Sequence, residues 1–260
     1  MHDSVRGLLR LEQTLVGFTK AQNCLWDDTE QDDDLDDRER KTEEDLRAEQ
    51  KADDDVPPQP ESAADDTAAD LEALRERLGH ERIHVLGHSL GGQVGPAYAR
   101  AHPDRTASVV LLSTAAGRTE DDSAKVKGVV AAMRERGVAD VLTTLVERWY
   151  TDEFIAARPD AIEHRIEQVL GTPEDVFLAV FDVYAGTEML AWLPQVDCPC
   201  LVLTGEFDGG CNPRLNAVIA DALPDSELVV LPDLKHSVLV EGPDAVLSPV
   251  LDFLLRHRDG

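Results

Sequence analysis

One short segment, Gly87–Gly92, constrains the fold of this chain more than any other. It reads Gly-His-Ser-Leu-Gly-Gly, directly follows the apolar run Ile83–Leu86, and directly precedes a stretch with helical periodicity. A sharp turn from a strand into a helix strains the backbone of its central residue and leaves little room for neighbouring side chains, which explains the glycines at 87 and 91. The segment therefore predicts a nucleophile elbow with Ser89 at its tip.

The overall charge excludes several classes of partner. The chain has 260 residues and a net charge of -27, so we expect no nucleic acid and no anionic membrane as partners, because both require lysine and arginine to neutralise phosphate. Highly anionic substrates are also disfavoured unless arginines are concentrated locally. The sequence has no apolar run of about 18 residues and no signal-like amino terminus, so the expected location is cytoplasmic.

The acidic excess is concentrated near the amino terminus. Residues 27–81 contain 23 acids and 7 bases. The part from Asp27 to Asp55 has no apolar face at the spacing of a helix or of a strand, which predicts a solvated or disordered segment. A calcium loop is the alternative, but the regular aspartate spacing and the closing glutamate are missing. The cysteines do not have zinc spacing and are interpreted as buried free thiols, with no metal expected; they are Cys24, Cys198, Cys200 and Cys211.

Short apolar runs alternate with helical patterns along the rest of the chain. A parallel sheet is predicted from four runs that are apolar enough to be buried on both faces: Ile83–Leu86, Ser108–Leu112, Leu201–Thr204 and Leu228–Leu231. Helices from about Leu90 to Ala101 and from about Pro213 to Leu223 connect these strands into βαβ units. Pro96 inside the first helix is expected to kink it or to cost it about 3 kcal/mol.

The strand signal disappears between Gly117 and Leu193. Apolar residues there have helical spacing, which predicts a cap of three or four helices at residues 118–193, inserted into a core formed by residues 1–117 and 194–260. Within that core, residues 27–61 are the acidic part, for which the alternatives are a solvated or a disordered segment. Such a cap lies over the carboxyl edge of the sheet and shapes a pocket. Three of its aromatic side chains are the candidate lining residues: Trp149, Tyr150 and Trp192.

A base and an acid follow Ser89 in the expected chain order. Serine needs a histidine to accept its proton and a carboxylate to orient that histidine, and in this architecture both follow strands, in the order serine, acid, histidine. Asp208 lies just past the third predicted strand and His236 just past the fourth. Glu206 is a rival acid, but Asp208 is preferred because it lies in the turn beyond the strand. His88 is predicted to point away along the elbow.

These motifs together resemble those of α/β-hydrolase-fold serine hydrolases, most of all the 3-oxoadipate enol-lactonase group. The matching segments are the elbow, the acid turn, the histidine segment with its following Glu-Gly-Pro, and a cap motif: Gly87–Gly92, Gly205–Asp208 with Asn212-Pro213, Leu234–Ser237 with Glu241–Pro243, and Glu147–Tyr150 followed by Phe154. The resemblance implies an α/β-hydrolase fold, a mostly parallel sheet flanked by helices with a helical cap insertion. It also implies an oxyanion hole formed by the backbone N–H groups of Leu90 and Phe18.

The first sixty residues depart from the family pattern. Val16 stands where the family has a histidine, and Arg40–Glu44 falls on a strand that should be buried, which its charges forbid. We therefore expect the amino-terminal strands to be incomplete or degenerate.

The leading hypothesis is a cofactor-independent enzyme that cleaves a small carboxylic ester or lactone through Ser89, His236 and Asp208. The alternatives are a carbon–carbon bond hydrolase or perhydrolase of the same fold, or a non-catalytic or decayed hydrolase-fold binding protein.

Overall fold

A four-stranded parallel sheet is the centre of the computed structural model, which describes residues 63–258. The strands lie side by side in chain order, and each neighbouring pair is parallel. They are β1 (Ile83–His88), β2 (Thr106–Leu112), β3 (Cys200–Gly205) and β4 (Ser226–Leu231). All four predicted strands are therefore present, and each extends one or two residues beyond its predicted bounds.

The two central strands are buried on both faces, whereas the last strand is not. Every residue of β2 and β3 is buried, as their uninterrupted apolar sequences predict. The same prediction for β4 was wrong, because Leu228 and Val230 are 41% and 40% exposed. In the described part of the chain β4 pairs only with β3, so it forms an edge of the sheet where side chains meet fewer neighbours.

The described part of the chain also has ten α-helices. In order they are α1 (Ala63–Leu78), α2 (Gly91–Ala101), α3 (Glu120–Arg136), α4 (Val138–Trp149), α5 (Asp152–Ala157), α6 (Pro159–Leu170), α7 (Glu174–Gly186), α8 (Pro213–Ala222), α9 (Val238–Glu241) and α10 (Pro243–Arg256). Helix α2 connects β1 to β2 and α8 connects β3 to β4, which gives the predicted βαβ units. None of these helices is long and apolar enough to cross a membrane.

Helix α2 packs closely on the sheet and continues through Pro96. Proline has no N–H for the carbonyl of Gly92, so one helical hydrogen bond is lost. Tight packing compensates for this loss: Pro96 is buried, and a Cβ on Gly95 would lie 3.1 Å from a methyl carbon of Val109.

Helices α3 to α7 form what we call the helical segment, residues 120–186. It contains five helices where three or four were predicted, and a separate hydrophobic cluster holds them together, with Met133, Leu145, Trp149, Phe177 and Phe181 among its buried members. The carboxylate of Glu188 accepts hydrogen bonds from the N–H groups of Gly117, Arg118 and Leu190. The point where the chain leaves the sheet and the point where it returns are therefore held together by Glu188, and we call this contact the neck.

Several predictions concern residues outside the described range. They are the oxyanion donor at Phe18, the acidic segment from Asp27 to Asp55, the degenerate strand at Arg40–Glu44 and the thiol of Cys24. Among the described residues, Cys198, Cys200 and Cys211 are free thiols.

Candidate active site

Ser89 lies in a strained turn between β1 and α2. Its φ of 55° is positive, a conformation that costs a non-glycine residue about 1–3 kcal/mol. A Cβ on Gly87 would collide with the carbonyl of Gly91, and one on Gly92 would lie 2.5 Å from the Cβ of Thr114. Glycine is therefore required at 87 and 92, whereas a Cβ at 91 would meet open space, contrary to the expectation for that position.

The turn buries the Ser89 side chain without giving it a protein partner. Its N–H donates to the carbonyl of Leu112 at 2.8 Å, which ties the elbow to the end of β2. The residue is 1% exposed, and its Oγ has no hydrogen-bond partner among the described residues. A buried hydroxyl without a partner is costly, so this hydroxyl is available for an interaction that residues 63–258 do not make in this structure.

Asp208 and His236 form a buried pair at the carboxyl ends of β3 and β4. Each is 2% exposed, and His236 Nδ1 lies 2.7 Å from Asp208 Oδ2. The other carboxylate oxygen accepts the N–H groups of Gly210 and Cys211 at 3.0 and 2.8 Å. Burial raises the pKa of Asp208, but His236 and these two amides outweigh burial and hold the pKa below its ordinary value.

The rival acid, Glu206, lies elsewhere. It is exposed, and its carboxylate accepts the N–H of Asp233 at 3.3 Å. The turn after β3 therefore brings Asp208, and not Glu206, against His236. Gly205 permits this approach, because a Cβ there would collide with the carbonyls of Leu234 and Lys235.

His88 also belongs to this site, and the prediction that it points away was wrong. Its Nε2 lies 2.9 Å from the carbonyl oxygen of His236, and the two rings are 4.9 Å apart between centroids. Burial and the neighbouring His236 lower the pKa of His88 to about 3, so its neutral ring donates Nε2–H to that carbonyl. The sequence signal was its position beside Ser89 at the end of a strand.

Two of the three candidate lining aromatics contact the segment that carries His236. The carbonyl of Trp149 accepts the N–H of Ser237 at 2.9 Å, and the Tyr150 hydroxyl hydrogen-bonds the Ser237 side chain. Trp149 is fully buried, and its indole Nε1 has no hydrogen-bond partner among the described residues.

The third candidate, Trp192, does not lie there. Its ring packs under the guanidinium of Arg100, with Cζ 4.5 Å from the ring centroid. Arg100 is near the last residue of α2, whereas Ser89 precedes its first residue, and a helix of this length separates its ends by about 1.5 Å per residue. Trp192 therefore packs near the end of α2 that is farther from Ser89, and it does not line the site.

Arg165 of α6 places a positive charge beside Trp149. Its Cζ lies 5.2 Å from the centroid of the Trp149 ring. Its charge contributes, after burial and His236, to the lowered pKa of His88, and burial lowers its own pKa. No salt bridge joins this half-buried guanidinium to any carboxylate of the described chain, although 52 acids are present in the sequence.

One of the two expected oxyanion donors, the N–H of Leu90, lies at the start of α2. Leu90 is the residue that precedes this helix, and the first N–H groups of a helix have no partner within it and lie at its positive end. The second expected donor, Phe18, lies outside the described residues.

One group of side chains has the composition of a metal site, but its members form hydrogen bonds within the protein. Ligand atoms of Asp208, Cys211 and His236 lie within 4.8 Å of one another. The carboxylate and the imidazole hydrogen-bond each other, and the thiol contacts the hydroxyl of Tyr184 at 3.1 Å. This arrangement suits proton transfer better than metal binding.

The parallel sheet, the elbow and the buried acid–histidine pair are typical of an α/β-hydrolase fold. A sequence model of the α/β hydrolase fold matches residues 45–161, and the described part of the chain has this fold.

Individual relatives agree with the resemblance seen in the sequence. The chain is 25% identical over 181 residues to 3-oxoadipate enol-lactonase 2 from Acinetobacter baylyi, a match that covers 70% of this chain and 67% of that protein. A thermophilic esterase from Thermogutta terrifontis is 28% identical, with a TM-score of 0.66 over 78% of this chain and 75% of its own. The enol-lactonase from Burkholderia xenovorans LB400 shares the fold with a TM-score of 0.69 at 24% identity, over 77% and 75% of the two chains. The predicted fold and resemblance are confirmed.

Proposed function

We propose that the protein is a cofactor-independent serine hydrolase that cleaves a small carboxylic ester or lactone. The observation that carries the proposal is the 2.7 Å hydrogen bond between buried Asp208 and His236, at the same sheet edge as the strained elbow of Ser89. In this reading residues 118–193 form a cap over that edge.

The hydrogen bonds of His236 support the role of a base for this residue. Because Asp208 is an acceptor, Nδ1 carries the proton and the buried Nε2 keeps its lone pair. Nε2 takes the proton of Ser89 as Oγ attacks the carbonyl, and the N–H of Leu90 stabilises the oxyanion that forms. His236 then returns the proton to the leaving alkoxide. Water, deprotonated by the same nitrogen, hydrolyses the acyl-enzyme and restores Ser89.

Arg165 supports a substrate that carries a carboxylate away from the reacting carbonyl. A half-buried charge without an opposite charge beside it is unfavourable. Arg165 contacts the face of Trp149, and no salt bridge among residues 63–258 uses the donors in its guanidinium plane. These donors match a carboxylate. Arg165 is thus the local arginine that a chain of charge -27 would need in order to hold an anionic substrate.

A fluorophosphonate probe tests the proposal, because it labels only an activated serine. We expect the parent to be labelled at Ser89, and Ser89→Ala and His236→Ala to lose both labelling and nearly all ester hydrolysis with unchanged far-UV circular dichroism. An unlabelled but folded parent would favour the non-catalytic alternative. Labelling without turnover of any ester or lactone would favour carbon–carbon bond hydrolysis or perhydrolysis.

A further inference from the structure

Glu241 connects the helical segment to the loop that carries His236. Its Oε1 accepts hydrogen bonds from the N–H and the hydroxyl of Thr151, at 2.7 and 2.9 Å. Its Oε2 accepts the N–H of Lys235 at 2.9 Å. One carboxylate thus joins the start of α5 to the residue that directly precedes His236.

Further contacts join the same two parts of the chain. The N–H of Ser237 donates to the carbonyl of Trp149 at 2.9 Å, and the Lys235 ammonium donates to the carbonyl of Glu147 at 2.7 Å. The residues on both sides of His236 are therefore bound to residues 147–151 of the helical segment.

The Glu241 carboxylate accepts these hydrogen bonds from neutral donors in both parts of the chain. In the described part of the chain no salt bridge involves Glu241, and its three donors are neutral. Hydrogen bonds to an ionised acceptor are shorter and about twice as strong as those between neutral groups. The Glu241 carboxylate is thus a firm link, and it is half-buried between the two parts it joins.

We propose that Glu241 is a positioning residue: it fixes the backbone before His236 and couples the placement of this base to the seating of the helical segment. The inference rests on the proposed function, in which His236 is the base. A shift of about 1 Å in a reacting group costs roughly 100-fold in rate. A helical segment that moves away from the sheet edge would therefore switch off proton transfer by moving His236.

The first test compares Glu241→Ala with Glu227→Ala. Glu227 is a suitable control because it loses only a surface pair with Arg256. We expect Glu241→Ala to lower kcat roughly 10- to 100-fold with KM changed less than about threefold, and Glu227→Ala to retain the parent kcat. We also expect the downfield proton resonance of the His236–Asp208 hydrogen bond to broaden or shift only in Glu241→Ala. This readout needs no substrate and does not respond to a general loss of stability in a folded sample.

The second test uses Thr151, which donates to the same carboxylate. Thr151→Ser keeps the hydroxyl and should behave as the parent, whereas Thr151→Val should show part of the Glu241→Ala effect. The double variant Thr151→Val/Glu241→Ala should have the kcat of Glu241→Ala alone, because both changes break the same link to His236. Thr151→Val also removes the N-cap hydrogen bond to the N–H of Phe154, and we expect that loss to appear in the unfolding midpoint rather than in kcat.

The two proposals fail in different ways. Parent-like kcat and an unchanged resonance in Glu241→Ala would overturn the positioning role, as would a lower unfolding midpoint with the resonance and kcat intact. An unlabelled Ser89 in the parent would instead count against the hydrolase, and the resonance would then decide by itself whether Glu241 positions His236.

Discussion

Asp208 and Glu206 are two residues apart, yet only one of them contacts His236. Asp208 is buried and holds the Nδ1 proton of His236, whereas Glu206 is exposed and binds the backbone of a neighbouring loop. A neutral amide at 208 would stabilise the wrong histidine tautomer.

This difference predicts unequal effects of two similar substitutions. Asp208→Asn should lower kcat about 10⁴-fold, and Glu206→Gln should change it less than about threefold, because surface substitutions away from the chemistry have small effects. Steady-state kinetics with a chromogenic ester measures both. The opposite ranking would assign the orienting acid to Glu206.

The sequence predicted these residues because motif spacing and chain order are local properties. Ser89, Asp208 and His236 all follow strands whose apolar runs are easy to recognise. The place of His88 could not be read in this way, since its partner is the backbone of a residue 148 positions away. Trp192 was misplaced for a similar reason, because an aromatic residue beside the cap boundary can pack on either end of α2.

At the scale of elements, the four strands were predictable and the surroundings of β4 were not. Apolar runs identify strands wherever they lie, but whether the last one is covered depends on packing that its own six residues do not encode. Likewise, helix α2 tolerates Pro96 because burial against the sheet outweighs the lost hydrogen bond, a balance that local propensity does not include.

Helix α6 carries the prediction on substrate choice, through Arg165. Arg165→Met should lower kcat/KM about 10- to 100-fold for an ester that bears a carboxylate, because a hydrogen bond to a charged group contributes about 1.5–3 kcal/mol. For a neutral ester of equal size kcat/KM should stay within about threefold.

Arg158→Met is the matched control, since Arg158 is exposed and paired with Asp160. Measuring both esters with both variants separates charge recognition from damage to the helical segment. Equal losses on the two esters would show that Arg165 supports packing alone.

At the scale of the whole molecule, the buried His88 links stability to pH. Its pKa is about 3 in the folded protein, against about 6.5 in an unfolded chain. Between these values the unfolded chain binds a proton that the folded protein excludes. The free energy of unfolding should therefore fall as pH falls below about 6.5, by about 1.4 kcal/mol per pH unit from this residue.

Urea unfolding at pH 7 and pH 5 measures this effect. His88→Gln should lose less stability than the parent over that interval, by about 2 kcal/mol, because glutamine does not titrate and its amide can still donate to the carbonyl of His236. Identical pH dependence in the two proteins would show that His88 is protonated without cost in the folded state.

The neck at Glu188 has a consequence for how this protein could change over time. One carboxylate accepts hydrogen bonds from N–H groups at both ends of the helical segment. The two ends are therefore held close together, whatever sequence lies between them. We expect that a foreign segment with the same two ends could replace the helical segment there without disturbing the sheet. Under the role proposed for Glu241, the new segment would also need a carbonyl in the place of that of Trp149 and a donor in the place of Thr151, because these contacts position His236.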